Sequence, residues 1–184
     1  MGDLAKRYMK FEITDEDIDI KGKRDKFREL EKQIKEIATD DATDEENIKV
    51  RTALINEINK YVPYVNTICG DKEVLEMLLN NIDCKTAKEL RSYNTIFTKV
   101  EEVKHDGWLI LTEEQHKWVK ENVEKINFAY KVKDDKGNEN AFFPAILRRR
   151  IADFLDKFEV AANKMPDELK KLELVETPKE GEVK

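Results

Sequence analysis

Apolar residues recur at intervals of three and four along most of the chain between Phe27 and Phe158. This spacing places them on one side of an α-helix, because the helix has about 3.6 residues per turn. Only six glycines and four prolines interrupt the 184 residues, so long segments can continue as helix. The sequence therefore predicts a mainly α protein, an antiparallel bundle of five to seven helices with short connections.

Cap and breaker residues mark the ends of these helices. Thr43 and Thr112 each precede Glu or Gln by three residues, which is the capping-box pattern of a helix N-terminus. Gly70 is a stop signal, and Asp106 and Gly107 predict a turn. The apolar stripes delimited in this way are Phe27, Leu30, Ile34 and Ile37; Ile48, Leu54, Ile55, Ile58, Tyr61 and Val62; Val74, Leu75, Leu78, Leu79 and Ile82; Ala87, Leu90, Phe97, Val100 and Val103; Val119, Val123, Ile126 and Tyr130; and Leu147, Ile151, Phe154, Leu155, Phe158 and Ala162.

Three segments depart from the helical pattern. Lys10–Ile20 alternates in part, which predicts one or two short strands or an extended arm. Trp108–Leu111 is short and wholly apolar, as in a buried strand or an extended lead-in to the next helix. The loop at residues 134–138 predicts the tip of a minor hairpin near 130–143.

These features predict the domain organisation. We expect an N-terminal extended arm or short strand at residues 1–22 and a helical domain at residues 23–174. Residues 175–184 are polar and contain Pro178 and Gly181, so we expect a disordered tail there.

The charge of the chain is dense and mixed. Basic residues number 34 and acidic residues 40, so the net charge is −6, a pattern typical of solvated helix faces. No segment approaches the roughly 18 apolar residues of a transmembrane helix, and the N-terminus lacks the apolar core of a signal peptide. Cys69 and Cys84 have no second Cys or His at metal-ligand spacing. We expect no membrane association and a cytoplasmic location, in the host cytoplasm or in a virion if the protein is viral.

The residues that commonly carry catalysis form no recognisable motif. His105 and His116 are the only histidines and Ser92 is the only serine, and none of them lies in a metal or nucleophile motif. The acids at residues 15–19 do not supply both the Gly and the Glu that a calcium loop requires at its sixth and twelfth positions. Neither of the common Gly-rich phosphate loops occurs. We therefore expect no enzyme activity, no cofactor and no metal.

Arg148, Arg149 and Arg150 stand side by side within the most apolar and aromatic stretch, Phe142–Phe158. Arginine suits forked recognition of carboxylate or phosphate. Arginine beside aromatic residues is also typical of the centres of protein interfaces. The candidate partner-binding residues are therefore Phe142, Phe143, Arg148, Arg149 and Arg150.

Helical geometry limits what this arginine triplet can do. Three consecutive residues span about 200° of a helix, so the three side chains cannot all face one ligand. The apolar stripe predicts that Arg148 lies next to the buried face and that Arg149 and Arg150 point outward. Asp153 lies within reach of both outward arginines along the helix, so a local ion pair is a further expectation.

Two alternatives involve nucleic acids. The basic clusters at residues 21–28 and 148–150 are compatible with weak nucleic-acid binding, although the net charge is negative and no helix is basic along one side. The acidic stretches at residues 12–19 and 39–46 each hold five acids and no base. Such stretches can imitate the phosphate track of DNA and so inhibit a nucleic-acid-binding protein.

The interpretation that best fits these features is a non-enzymatic protein–protein interaction module. It is either an assembly or structural subunit or a regulator that occupies the surface of a partner protein. We expect a protein partner or self-association rather than nucleic acid. The small size, dense charge and helical character are those of accessory proteins of phages and mobile elements, an expectation that rests on composition alone.

Overall fold

The computed structural model of the chain describes residues 5–39, 45–133, 139–141, 143 and 145–176. Within these residues the chain forms seven α-helices, a 3-10 turn and two two-stranded antiparallel sheets, which confirms the predicted mainly α fold class. The helices are α1 (Asp15–Thr39), α2 (Glu45–Ile58), α3 (Gly70–Asn80), α4 (Ala87–Glu102), α5 (Glu113–Val123), α6 (Ala145–Glu159) and α7 (Asp167–Glu176), and the strands are β1 (Lys6–Lys10), β2 (Trp108–Thr112), β3 (Lys131–Lys133) and β4 (Glu139–Ala141). Thr43 and the part of the predicted tail from residue 177 onward lie outside the described residues.

Two compact units divide the chain, and helix α3 crosses their boundary. The first unit comprises Met1–Phe11 and Val74–Lys184, and the second comprises Glu12–Glu73. The first unit therefore contains both sheets and helices α4 to α7. The second contains α1, α2 and the 3-10 turn at Val62–Tyr64.

The first unit is built on the pairing of β1 with β2. The strands run antiparallel with Tyr8 opposite Ile110. Tyr8 also exchanges two backbone hydrogen bonds of 2.8 and 3.0 Å with Ala162, just beyond α6. Strand β2 confirms the strand interpretation of Trp108–Leu111, and Leu109 within it is fully buried. The minor hairpin is also confirmed, as β3 pairs with β4.

The start of α1 differs from the pattern in the sequence. Residues 15–20 are helical, although their partial alternation predicted a strand or an extended arm. The reason is a reciprocal cap: the Thr14 hydroxyl accepts from the Asp17 backbone N at 3.2 Å, and Asp17 Oδ2 accepts from the Thr14 backbone N at 3.1 Å. This is a capping box with Asp in the place of Glu. Ile18, which contributed to the alternation, is 54% exposed on the helix.

The core of the first unit is made by the apolar stripes of α3, α4, α5 and α6. One of the predicted stripes needs correction, because Leu90 of α4 is 50% exposed. Ile96 and Val100 mark the buried side of α4, and Leu90 lies about a quarter turn away from that side. The fully buried side chains of these helices include Leu75, Leu78, Leu79, Ile96, Val100, Val119, Phe154 and Phe158.

The second unit contains an antiparallel hairpin of α1 and α2. Lys23 Nζ of α1 lies 4.5 Å from the ring centroid of Tyr64, which follows α2, so the two helices run in opposite directions. No residue of α2 is buried. Its predicted stripe is therefore only partly covered, because Leu54 and Ile58 are half-buried whereas Ile48 is exposed.

A largely buried ion pair fixes the turn that leads from α2 to α3. Arg24 donates to both carboxylate oxygens of Glu73, at 2.9 and 2.6 Å, and to the carbonyl oxygen of Thr67 at 3.1 Å. Gly70 begins α3 with φ of +70°, and a Cβ atom there would meet the carbonyl oxygen of Glu12 at 3.0 Å. Glycine is therefore required at this turn by both its backbone angle and its close neighbour.

Candidate functional site

Helix α6 is the element that carries the arginine triplet. Its buried side is formed by Ile151, Phe154 and Phe158, which follow one another at spacings of three and four. No acid lies in its first turn, and Lys157 lies in its last. The helix therefore presents one apolar side to the interior and leaves the opposite side to solvent.

The structure reverses the expected roles of two of the arginines. Arg150 is half-buried, whereas Arg148 and Arg149 are both exposed. At about 100° per residue, Arg150 lies directly beside the stripe that runs through Ile151 and Phe154. Arg149 lies on the side opposite that stripe. Arg148, which was expected next to the core, and Arg150, which was expected outward, have therefore exchanged places.

The aromatic residues of the predicted site do not join this exposed surface. Phe143 is buried, and its ring packs edge-on against Phe128 with the centroids 5.2 Å apart. Phe142 lies outside the described residues. Among the residues predicted to bind a partner, the structure therefore places Arg148 and Arg149 on the surface.

The outward side of α6 carries two large apolar side chains that the sequence prediction missed. Ile146 is 79% exposed and Val160 is 78% exposed, the highest values among the exposed large hydrophobic residues of the described chain. Ile146, Arg149, Asp153 and Val160 occupy positions i, i+3, i+7 and i+14. All four therefore lie on the same side of the helix. Val160 continues the helical pattern, since its backbone N donates to the carbonyl oxygen of Asp156. We call Ile146, Arg149, Asp153 and Val160 the α6 ridge.

The charged residues of the α6 ridge are available to another molecule. Within the described residues, no ion pair joins Arg149 to Asp153, so the local pair expected from their spacing is not formed. Ile146 and Val160 lie about 21 Å apart along the axis, from a rise of 1.5 Å per residue. The ridge is therefore a strip with an apolar side chain at each end and two opposite charges between them.

Helix α6, which carries the α6 ridge, is fixed to α5 by contacts on its buried side. His116 of α5 stacks on the ring of Phe158 with the centroids 4.4 Å apart, and its Nε2 lies 2.6 Å from the Phe158 carbonyl oxygen. Burial lowers the pKa of His116 below its usual value, against the opposing effect of this hydrogen bond. Lys120 Nζ lies 2.6 Å from Glu159 at the end of α6. A rigid base of this kind keeps a contact surface in one geometry.

The second basic cluster, at residues 21–28, is largely neutralised by the protein itself. Lys23 pairs with Asp19 at 2.6 Å, Lys26 with Glu29 at 2.9 Å and Arg28 with Asp25 at 3.3 Å. Arg24 is committed to its buried pair with Glu73. Cations that already have carboxylate partners contribute little to phosphate binding, because each pair must be broken first.

The acidic stretch at residues 12–19 also has structural roles. Asp17 is buried and caps α1, and Asp19 pairs with Lys23. In the stretch at residues 39–46, residues 40–44 lie outside the described part, and Glu45 and Glu46 occupy the first turn of α2. Acids in a first helical turn interact favourably with the helix dipole, so their position has a structural explanation.

The remaining polar residues do not converge on a recognisable centre. In the described part of the chain, no group of three or more His, Cys, Asp or Glu side chains is arranged to hold a metal ion. Cys69 is buried and Cys84 half-buried, and both are free thiols. Among the helices described, none is both long enough and apolar enough to span a membrane.

Comparison with known proteins identified no matching family model, no matching curated protein and no matching solved structure. A functional proposal for this chain therefore depends on the chemistry of its own surfaces. On the α6 ridge, exposed apolar side chains and unpaired charges coincide on one helix.

Proposed function

We propose that this chain is a non-enzymatic protein–protein interaction module and that the α6 ridge is its contact surface. The observation that carries the proposal is the exposure of Ile146 and Val160, at 79% and 78%, on the same side of α6 as Arg149. Isolated apolar side chains on a surface need no explanation, but two that flank an arginine on one helix side resemble the anchors of an interface.

Burial of the α6 ridge would contribute substantially to the free energy of such a contact. Complete burial of an aliphatic side chain contributes about 1.5–3 kcal/mol, so Ile146 and Val160 together can supply several kcal/mol. Arg149 adds forked hydrogen bonds to a carboxylate of the partner, which set the orientation of the complex. Because α6 is already folded and anchored, little conformational entropy is lost on binding.

The same surface serves either version of this function. As a structural subunit, the chain uses the α6 ridge to join other subunits. As a regulator, it uses the ridge to cover a surface of an unrelated partner. The neutralised cluster at residues 21–28 supports protein contacts over nucleic-acid contacts, because few of its cations are left to meet phosphates.

Affinity capture with paired variants tests the proposal. The tagged wild-type chain is compared with the double variant Ile146→Ser/Arg149→Glu in lysate from cells that express the protein naturally. The matched control is Ile18→Ser/Arg28→Glu in the second unit, where Ile18 is 54% exposed and the Arg28 side chain 72% exposed. Thermal melting first establishes that both variants remain folded.

The two variants are expected to behave differently. A partner captured by the wild type should be retained by the control variant and lost with the ridge variant, since reversal of the Arg149 charge repels the partner's carboxylate. Equal capture by the ridge variant and the wild type would contradict the assignment of the contact to α6.

A further inference from the structure

A groove lies between α4 and α5 in the first unit. Its volume is about 650 Å³, which is large enough to receive several side chains of another molecule. Trp118 of α5 is half-buried along it. An amphipathic, half-exposed tryptophan is the kind of side chain that contributes most when an interface covers it.

The two walls of this groove differ in net charge. Lys88 and Arg91 line it from α4, whereas the α5 wall carries Glu114 and Glu121 with Lys117 between them, so acids outnumber bases there by two to one. Within the described residues, the side chains of Lys88, Arg91 and Glu114 have no hydrogen-bond or ion-pair partner, and Glu121 has only a 3.7 Å pair with Lys117. A ligand that fits both walls must therefore carry an anion on one side and a cation on the other.

The α6 ridge meets this requirement. At about 100° per residue, Arg149 and Asp153 lie about 20° to either side of the line through Val160 and one turn apart, so a helix laid along the groove inclines Arg149 towards one wall and Asp153 towards the other. The groove spans two helical turns, about 10 Å, between Lys88 and Thr95, whereas the ridge is about 21 Å long. The charged middle of the ridge therefore fits within the groove, and its apolar ends pack against the surface beyond each end of the groove.

The α6 ridge and the groove also point in different directions. Helix α5 contacts α6 through His116 and Lys120, whereas it lines the groove with Glu114, Trp118 and Glu121. The two sets of residues lie on nearly opposite sides of α5, again at about 100° per residue. A ridge therefore cannot fold back into the groove of its own chain, and both surfaces remain open to other copies.

We propose that the groove between α4 and α5 binds the α6 ridge of a second copy of this chain. Asp153 of one copy pairs with Arg91 and Lys88 of the next, Arg149 pairs with the carboxylates of Glu114 and Glu121, and the helix covers Trp118. This inference rests on the proposed function and specifies it, because it makes the chain an assembly subunit that associates head to tail. A contact between two different surfaces generates rings or open filaments rather than a two-fold dimer.

Light scattering during size-exclusion chromatography tests this inference. The full wild-type chain is run over increasing concentration up to the millimolar range, where weak contacts become populated. The expected mass is 21.6 kDa at the lowest concentration and at least twice that value at the highest. High salt should reduce the association, because the charge pairs between ridge and groove are screened.

Charge reversal then identifies the two surfaces. The ridge variant Arg149→Glu and the groove variant Glu114→Lys/Glu121→Lys should each remain monomeric alone. Mixed in equal amounts they should associate again, because the reversed ridge fits the reversed groove and each variant keeps one native surface for the other. Only a head-to-tail contact predicts this rescue, whereas a ridge-to-ridge contact gives no recovery on mixing.

The outcomes separate this inference from the proposed function. A wild-type mass of 21.6 kDa at every concentration overturns self-association through the groove but leaves capture of a different protein by the ridge intact. Association that persists in both charge variants, or that the mixture fails to restore, also overturns it. The control Ile18→Ser/Arg28→Glu should associate like the wild type.

Discussion

His116 Nε2 lies 2.6 Å from the backbone carbonyl oxygen of Phe158, and the two rings stack with their centroids 4.4 Å apart. A carbonyl oxygen can only accept, so Nε2 carries the proton and donates it. The pair joins the first turn of α5 to the last turn of α6 in the interior of the first unit. It thereby fixes the orientation of the helix that presents the α6 ridge.

Lowering the pH should reduce the stability of the protein, because the buried His116 ring must then take up a second proton. Burial lowers the pKa of His116 in the folded chain. Arg7 and Lys120 lower this pKa further, whereas Glu113 raises it, and these effects are smaller than that of burial. Between the folded and the unfolded pKa of His116, the unfolded chain binds more protons than the folded chain. The stability that the neutral His116 provides is therefore fully present above the unfolded pKa of about 6.5. It is lost as the pH falls from that value towards the lower pKa of the folded chain.

Urea unfolding at about pH 7.5 and about pH 5.5 measures this effect. His116→Phe keeps the stacked ring but cannot titrate, so its stability should change less between the two pH values than that of the wild type. Asn94→Ala, at an exposed position of α4 that cannot titrate, is the control and should retain the wild-type pH dependence. An equal loss of stability in the wild type and His116→Phe would exclude His116 as its source.

Replacement of Glu73 should destabilise the second unit strongly. Glu73 accepts two bonds from Arg24 and a third from the Cys69 backbone N at 2.9 Å, and the Arg24 and Glu73 side chains are only 13% and 14% exposed. Removal of Glu73 leaves the largely buried Arg24 guanidinium with only the Thr67 carbonyl oxygen as an acceptor, so Glu73→Ala should cost about 2 kcal/mol of unfolding free energy. Asp25→Ala, which breaks the exposed pair with Arg28, should cost below about 1 kcal/mol in the same urea titration. Similar losses in both variants would contradict the structural role of the Arg24–Glu73 pair.

Loss of the Asp17 cap should weaken the start of α1. Asp17 accepts from the backbone N and the hydroxyl of Thr14 at 3.1 and 2.7 Å. Asp17→Ala should lower the stability by about 1 kcal/mol and accelerate amide hydrogen exchange in the first turns of α1. Glu16→Ala, at an exposed neighbouring position, should leave the exchange of these amides unchanged. Exchange that is insensitive to Asp17→Ala would show that other contacts hold this end of the helix.

Duplex DNA should not be retarded by the protein at about 150 mM salt. The net charge is −6, and the cations at positions 23, 24, 26 and 28 already have carboxylate partners. A gel-shift titration measures this directly. Retardation that decreases steeply with salt would favour the nucleic-acid alternative over the protein-contact proposal.

Local signals in the sequence were sufficient to predict most of the helices. The spacing of Val119 and Val123, preceded by Thr112 and Gln115, gives α5 both its buried side and its N-terminus, because these signals lie within one or two helical turns. The position of the helix that bears the arginine triplet could be predicted for the same reason. The exposed Ile146 and Val160 were not recognised, because a pattern of apolar residues does not reveal which of them another element covers.

Long-range contacts could not be predicted in the same way. Strand β1 has the sequence Lys6-Arg7-Tyr8-Met9-Lys10, which lacks a clear alternation, and its partner β2 lies about a hundred residues further along the chain. Pairing over that distance is decided by tertiary packing and not by local propensity. The exchange of roles between Arg148 and Arg150 has a similar origin, since it depends on how α6 is rotated against its neighbours.

Site-specific photocross-linking tests most directly whether the α6 ridge is the contact surface. A photoreactive phenylalanine derivative is introduced at Ile146 or Val160, and at Ile18 as the control, and each tagged chain is irradiated in lysate and as a concentrated pure protein. Covalent products are expected from positions 146 and 160, with one partner or with a second copy of the chain, and none from position 18. Products from position 18 alone, or from all three positions equally, would contradict this expectation.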